Sequence, residues 1–217
     1  MELTTTQIAI IENYLKNRKV DYIDLKVEIL DHMISDIAQL MSKNHTFENA
    51  LKMTTIKWER HFEQRSSFYF GMLYSESKIV VNKAVKEFRL FYFLYLASYF
   101  FPLILLKNIE IQFEKTTALL INQITLSLAF LSLSYVLFIF FKTTLSKQKS
   151  TYRFILKTQY FGAIFLGIIL LLGDLFQDEG NLHPIFTGFT FAGFAVTYIC
   201  HYFYKMHQEV VHKFQNL

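Results

Sequence analysis

Cysteine is nearly missing from this chain of 217 residues, and Cys200 stands alone. A lone cysteine excludes an intramolecular disulfide, a thiolate zinc site and a Cys-x-x-Cys redox pair. Residues 1–11 lack a basic stretch followed by an apolar core, so no cleavable signal peptide is expected and targeting falls to internal segments. Neither a phosphate-binding glycine loop nor a His-Glu-x-x-His or Gly-x-Ser-x-Gly pattern occurs, which removes the commonest sequence marks of nucleotide, zinc-protease and serine-hydrolase chemistry. No internal repeat or low-complexity linker divides the chain. The net charge of +4 could suit nucleic acid, but Lys and Arg collect beside apolar runs, where they orient membrane helices and meet anionic lipid. The expected partner is therefore the lipid bilayer and not nucleic acid.

Apolar residues, in contrast, make up 53% of the chain, with an aromatic share of 18%. Charge concentrates in residues 1–87, and long apolar runs occupy 88–206. Crossing a hydrocarbon layer roughly 30 Å thick takes about 20 mostly apolar residues in a helix. Four stretches qualify: 88–106, 117–141, 154–173 and 184–204. Runs of this length are too long for barrel strands, and lipid tolerates only closed hydrogen bonding, so all four are predicted helices. The predicted fold is all-α, a polytopic membrane protein with four transmembrane helices preceded by a small three-helix soluble domain.

Basic residues flank alternate ends of these spans. Lys78, Lys83, Lys86 and Arg89 precede the first; Lys142, Lys147, Lys149, Arg153 and Lys157 lie between the second and third; Lys205 and Lys213 follow the fourth. The other two connections are balanced or acidic, with Asp174, Asp178 and Glu179 after the third span. The positive-inside rule then predicts a cytoplasmic N-terminus and C-terminus in a bacterial inner membrane. Pro184 suits the first turn of a helix, and Pro102 should disturb the outer end of the first span. Small residues at helical spacing, Ala163 with Gly167, Gly188 with Ala192 and Gly193 with Thr197, predict close packing of the third and fourth spans against one another or a partner.

In the soluble part, Ile23, Val27, Leu30, Ile34, Ile37 and Met41 follow a stripe that predicts a helix over 21–42. A shorter helix before it turns Ile8, Ile11 and Leu15 inward. A third starts at the N-cap Thr46 and presents Phe47, Leu51, Trp58 and Phe62. These helices define a domain over 1–64. Residues 65–87 are read as a linker and an amphipathic helix with Val80, Val81, Ala84, Val85 and Phe88 on one face, lying on the lipid surface with Lys78, Lys83 and Lys86 at the headgroups; 68–74 is a further candidate for interfacial contact. The spans occupy 88–206 and a cytoplasmic tail 207–217.

The segment from Val27 through Glu28, Ile29, Leu30 and Asp31 to His32, followed by Phe47, Glu48, Asn49 and Ala50, resembles a pattern in permease-prefix and HAAS-type domains, small helical modules that precede membrane spans in bacterial proteins. That resemblance covers about residues 1–62 and implies a cytoplasmic adaptor or regulatory module joined to a membrane part. The four spans are similar to those of bacterial membrane proteins without an assigned activity.

The candidate sites are few. Glu28, His32 and Asp36 stand at successive i, i+4 steps, a row that suits a divalent cation, a pH-sensing histidine or a docking face, set against the commoner case of an ordinary solvated helix face. His201 continues the row of Gly193 and Thr197 and is expected to face the bundle interior, where an ionisable group marks a functional hypothesis. His207 and His212 fall in the polar tail without the i, i+4 spacing of a helical zinc pair. Asp174, Asp178, Glu179 and His183 could rim the outer side. No acid crosses the middle of the spans, which argues against a proton-driven pump. No catalytic, cofactor or metal site is expected. The reading is a non-enzymatic membrane protein whose cytoplasmic domain recruits or regulates a protein partner; the alternative is a subunit of a small transporter or channel, which four spans would build as a homo-oligomer.

Overall fold

The computed structural model describes residues 2–177 and 180–215. Its elements run α1 (Thr5–Asn17), α2 (Ile23–Met41), α3 (Phe47–Phe62), β1 (Gln64–Ser67), β2 (Gly71–Ser77), α4 (Lys78–Asn108), α5 (Lys115–Leu145), α6 (Thr151–Thr158), α7 (Ala163–Leu172) and α8 (Pro184–Gln215). Four helical segments are long and apolar enough to cross a membrane: α4, α5, α6 with α7, and α8. The protein is thus an all-α, multi-pass membrane protein with one small two-stranded sheet among the described residues.

The chain divides into two compact units. One combines Met1–Lys86 with Lys147–Phe154 and His207–Leu217, and the other combines Glu87–Ser146 with Ile155–Met206. The first will be called the helical unit and the second the spanning unit. Residues far apart in sequence therefore build the helical unit, whereas a domain confined to 1–64 and a free tail from 207 were predicted.

Local chemistry sets the helix starts in the helical unit. Thr4 and Gln7 form a reciprocal capping box: Gln7 N–H donates to the Thr4 hydroxyl and Thr4 N–H donates to the Gln7 side chain. Thr46 accepts from Asn49 N–H at 3.4 Å, as its N-cap role predicts. Ile11 and Leu15 of α1 are fully buried. On α2 the core row is Leu25, Ile29, Met33 and Ile37, whereas Val27 of the predicted stripe is exposed. This helix carries apolar residues on more than one side, and packing against both α1 and α3 selects the row between them. The α3 row is Ala50, Thr54 and Trp58.

Residues 65–87 hold no separate surface helix. Instead β1 and β2 pair as an antiparallel hairpin, Gln64 opposite Ser77, and α4 then runs unbroken through Phe88 into the first span. Val80, Val81 and Ala84, predicted to lie on lipid, are buried within the protein.

In the spanning unit the third segment is interrupted. α6 stops at Thr158 and α7 resumes at Ala163, where a continuous helix over 154–173 was predicted. Tightened three-residue closures mark the break: Gln159 N–H to Leu156 O at 3.0 Å and Phe165 N–H to Gly162 O at 3.2 Å. Thr158 donates to Ile155 O and Gln159 donates to the Thr158 hydroxyl, which satisfies polar groups that lipid could not. On the opposite ends of the spans, the two connections pair with each other through Gln112 and Asn181, and Pro184 opens α8 as expected.

Glycine explains the closest helix approaches. A Cβ on Gly193 would lie 2.7 Å from Leu166 of α7, in line with the predicted third-to-fourth packing. A Cβ on Gly188 would instead lie 2.9 Å from the backbone oxygen of Tyr99 on α4, and one on Gly167 would meet nothing. Gly188→Ala should therefore lower the melting temperature of the purified protein, by overpacking worth about 1–3 kcal/mol against a helix-propensity gain of up to about 1. Gly167→Ala should leave it unchanged or raise it. Equal effects of the two substitutions on a melting curve in lipid nanodiscs would contradict the packing described.

Candidate functional site

The most concentrated group of buried polar side chains lies inside the helical unit, where α2, the α5–α6 connection and the end of α8 meet. Asp24 sits in the first turn of α2 with its side chain only 5% exposed. Its Oδ1 accepts the Thr151 N–H at 3.0 Å, so a carboxylate from one part of the chain caps the N-terminus of α6, where negative charge is favoured. Lys83 of α4 donates to the Asp24 backbone oxygen at 2.9 Å and stands 3.4 Å from its Oδ2. The connection is stitched further by Ile23 N–H donating to Lys149 O at 3.0 Å and by an ion pair between Lys149 and Asp21 at 3.1 Å.

Ser150 serves as the second cap of α6. Its hydroxyl accepts Arg153 N–H at 3.1 Å and lies 2.8 Å from Nδ1 of His207, which is 3% exposed. Which of the two atoms donates depends on the ring tautomer: Ser150 donates to Nδ1 when the ring proton is on Nε2 and accepts from Nδ1 when it is there. About 20 residues from Pro184 span the hydrocarbon layer and end near Phe203, so His207 stands a turn beyond the span. Burial, followed by the nearby Arg153 cation, lowers its pKa to about 4, and Asp24 opposes this. Tyr22, just before α2, is also buried. Burial first, then the negative charge of Glu76, raises the pKa of its phenol.

The predicted residues are distributed differently. Glu28, His32 and Asp36 do not form a common site: Glu28 approaches Lys83 at 3.5 Å, His32 stacks on Trp58 with ring centroids 6.4 Å apart, and Asp36 accepts from Lys57 at 2.7 Å and from the Trp58 indole at 3.2 Å. Glu28 meets Lys83 of α4, whereas His32 and Asp36 both meet Trp58 of α3, so the helix face is used to hold α3 and α4 in place. Lys83, predicted at the headgroups, reaches Asp24 and Glu28; Lys86 is exposed and Lys78 partly so. His201 is exposed on α8 and not turned inward, with Nδ1 2.6 Å from the Tyr135 hydroxyl. Its neighbour Cys200 faces the interior. Among the described residues no group of three or more His, Cys, Asp or Glu side chains could hold a metal ion.

A second polar feature belongs to the spanning unit. Asn122 of α5 donates to Gly173 O at 2.9 Å and accepts Leu175 N–H at 3.1 Å, closing the end of α7. Beside it Lys115, Asp174 and Gln177 help line an open cleft of about 190 Å³. Of the predicted outer rim, Asp174 lines this cleft and His183 packs against Phe186, whereas Asp178 and Glu179 lie outside the described residues.

His207 was the residue that sequence reasoning missed. Its signal was weak: it lies four residues after Phe203, itself fully buried, on the same side of α8. No protein family, curated protein or solved structure matches the chain.

The buried histidine makes stability depend on acid. Its folded pKa of about 4 lies below the ordinary 6.5, so the unfolded chain takes up the proton first. Stability is then present in full above pH 6.5, is lost as pH falls towards 4, and levels off below that. The loss is on the order of 3 kcal/mol. Thermal melts of the full chain in nanodiscs between pH 7 and 4 should show this decline, and His207→Gln should flatten it. A decline of the same size in the variant would assign the acid sensitivity elsewhere.

Proposed function

We propose that this chain is a non-enzymatic protein of a bacterial inner membrane whose helical unit, on the cytoplasmic side, recruits or regulates a protein partner while the spans anchor it. The observation that carries this reading is the construction of the helical unit. Its ionisable groups Asp24 and His207, buried, and Lys83, partly buried, bond to the backbone and side chains of segments distant in sequence and hold the unit together. The resemblance of Val27–His32 and of residues 47–50 to permease-prefix and HAAS-type domains points the same way.

The sidedness rests on two arguments. A compact unit cannot straddle the hydrocarbon layer, and the helical unit draws on the N-terminal helices, the connection between α5 and α6 and the end of α8; this supports one common side for all three. The excess of Lys and Arg in those stretches favours the cytoplasm. The second reading, a transporter or channel subunit assembled as a homo-oligomer, draws support from the interrupted third span, because broken helices in membranes commonly line a pathway. Gln159, buried at that break, would be its polar lining.

Two measurements test the proposal. In a Cys200→Ser background, a cysteine at Glu110 should react with an impermeant maleimide added outside intact cells, and cysteines at Lys43 and Lys147 should react only after lysis. The reverse pattern would overturn the orientation. Purified protein in liposomes should pass no ions or small solutes above the empty-vesicle leak, and flux that falls on Gln159→Leu would replace the adaptor reading with the transporter one.

A further inference from the structure

The β1–β2 hairpin has an uncharged, apolar tip that the helical unit does not cover. Between Ser66 and Ser75 the sequence contains no charged residue. Phe68, Met72 and Leu73 are 84%, 92% and 82% exposed, the highest values of any large apolar side chain in that unit. The tip is nevertheless well formed: Phe70 N–H donates to Ser67 O at 3.1 Å, and Gly71 takes the left-handed conformation, φ +80°, that the reversal requires. Its base is fixed by Lys78 N–H donating to Glu63 O at 2.8 Å.

We propose that this tip inserts into the interface of the same bilayer that the spans cross, as a second anchor for the helical unit. Met72 and Leu73 are consecutive in β2 and therefore project from opposite faces of the ribbon. A protein docked on a sheet covers one face; a lipid interface surrounds both faces and the turn between them. Tyr69 and Tyr74, partly exposed beside them, have the amphipathic rings that favour this zone.

The position of the tip supports lipid as the occupant. Phe70 is buried edge-on against Phe154, with ring centroids 5.2 Å apart. Phe154 lies in the first turns of α6 and is the last residue of its stretch in the helical unit before the chain passes, at Ile155, into the spanning unit. The tip is thus seated at the point where the backbone leaves for the membrane. Lengths agree as well. From Ser77 to Met72 the ribbon extends roughly 16 Å, and the polar lead of α4, from Lys78 to Glu87, rises roughly 14 Å from the same base before its apolar run begins.

The experiment uses the full chain with Cys200→Ser, reconstituted in phosphatidylcholine–phosphatidylglycerol vesicles. Single cysteines at Phe68, Met72, Leu73 and, as a control, Lys43 carry an environment-sensitive nitrobenzoxadiazole label. Labels at 68, 72 and 73 should emit to the blue of the control and be quenched more by nitroxide lipids labelled near the headgroup than by those labelled near the chain end. Water-like emission without lipid quenching at all three would overturn the proposal. So would a blue shift that no nitroxide lipid quenches and that disappears when each vesicle holds one protein, because that result assigns the tip to a second copy. The double variant Met72→Asp, Leu73→Asp should abolish quenching at 68 while the melting curve of the protein is retained; quenching that persists in this variant would also reject insertion.

Discussion

The carboxylate of Asp24 is the constraint on which the helical unit depends. A charge that is nearly removed from water must be met by hydrogen bonds and an opposite charge, and breaking such an arrangement costs about 3–5 kcal/mol. Asp24 meets this requirement with groups from two distant segments, the Thr151 amide at the start of α6 and the Lys83 ammonium on α4. Each of those partners has its own geometry to satisfy. α6 can present the Thr151 amide only if its first turn is formed, which Ser150 secures by capping Arg153, and the Ser150 hydroxyl is itself hydrogen-bonded to Nδ1 of His207. One buried acid thereby bears on the placement of stretches that lie 59 and 127 residues from it in sequence.

The same dependence explains why the unit is held together by polar bonds at all. Three helices of about 60 residues bury too little apolar surface to be more than marginally stable. Recruiting the connection between α5 and α6 and the end of α8 enlarges that core without a longer N-terminal domain. Specificity comes with it: an apolar junction could slip by a turn, whereas a carboxylate that must find one amide and one ammonium has a single solution. In the spanning unit the demand is met differently, by glycine at the contacts of α8 with α4 and α7 and by side-chain hydroxyls and amides that close the break after Thr158.

Features governed by local chemistry were legible in the sequence. The spans announce themselves by length and polarity, Thr46 and Pro184 mark helix starts, and Ile11, Leu15 and Gly193 lie at contacts as their spacing suggests. What was hidden required knowledge of partners. The stripe of α2 was misplaced because that helix is apolar on several sides and only its neighbours choose among them. The hairpin escaped because its tip is apolar on both faces, which erases the alternation that marks a half-buried strand. The interruption at 159–162 has only Gln159 and Gly162 to signal it within an apolar run, and His207 reads as a tail residue until Ser150 is placed beside it. For Glu28, His32 and Asp36 the regular spacing is real, but spacing along one helix does not reveal that Lys83, Trp58 and Lys57 stand beside them.

Amide hydrogen exchange of the full chain in nanodiscs measures whether Asp24 couples segments remote from it in sequence. In Asp24→Ala, exchange should accelerate together in residues 20–30, 147–154 and 207–214, with the apolar cores of α4 and α5 unchanged. Acceleration confined to residues 20–30 would contradict the account, because the three stretches would then be ordered independently of that carboxylate.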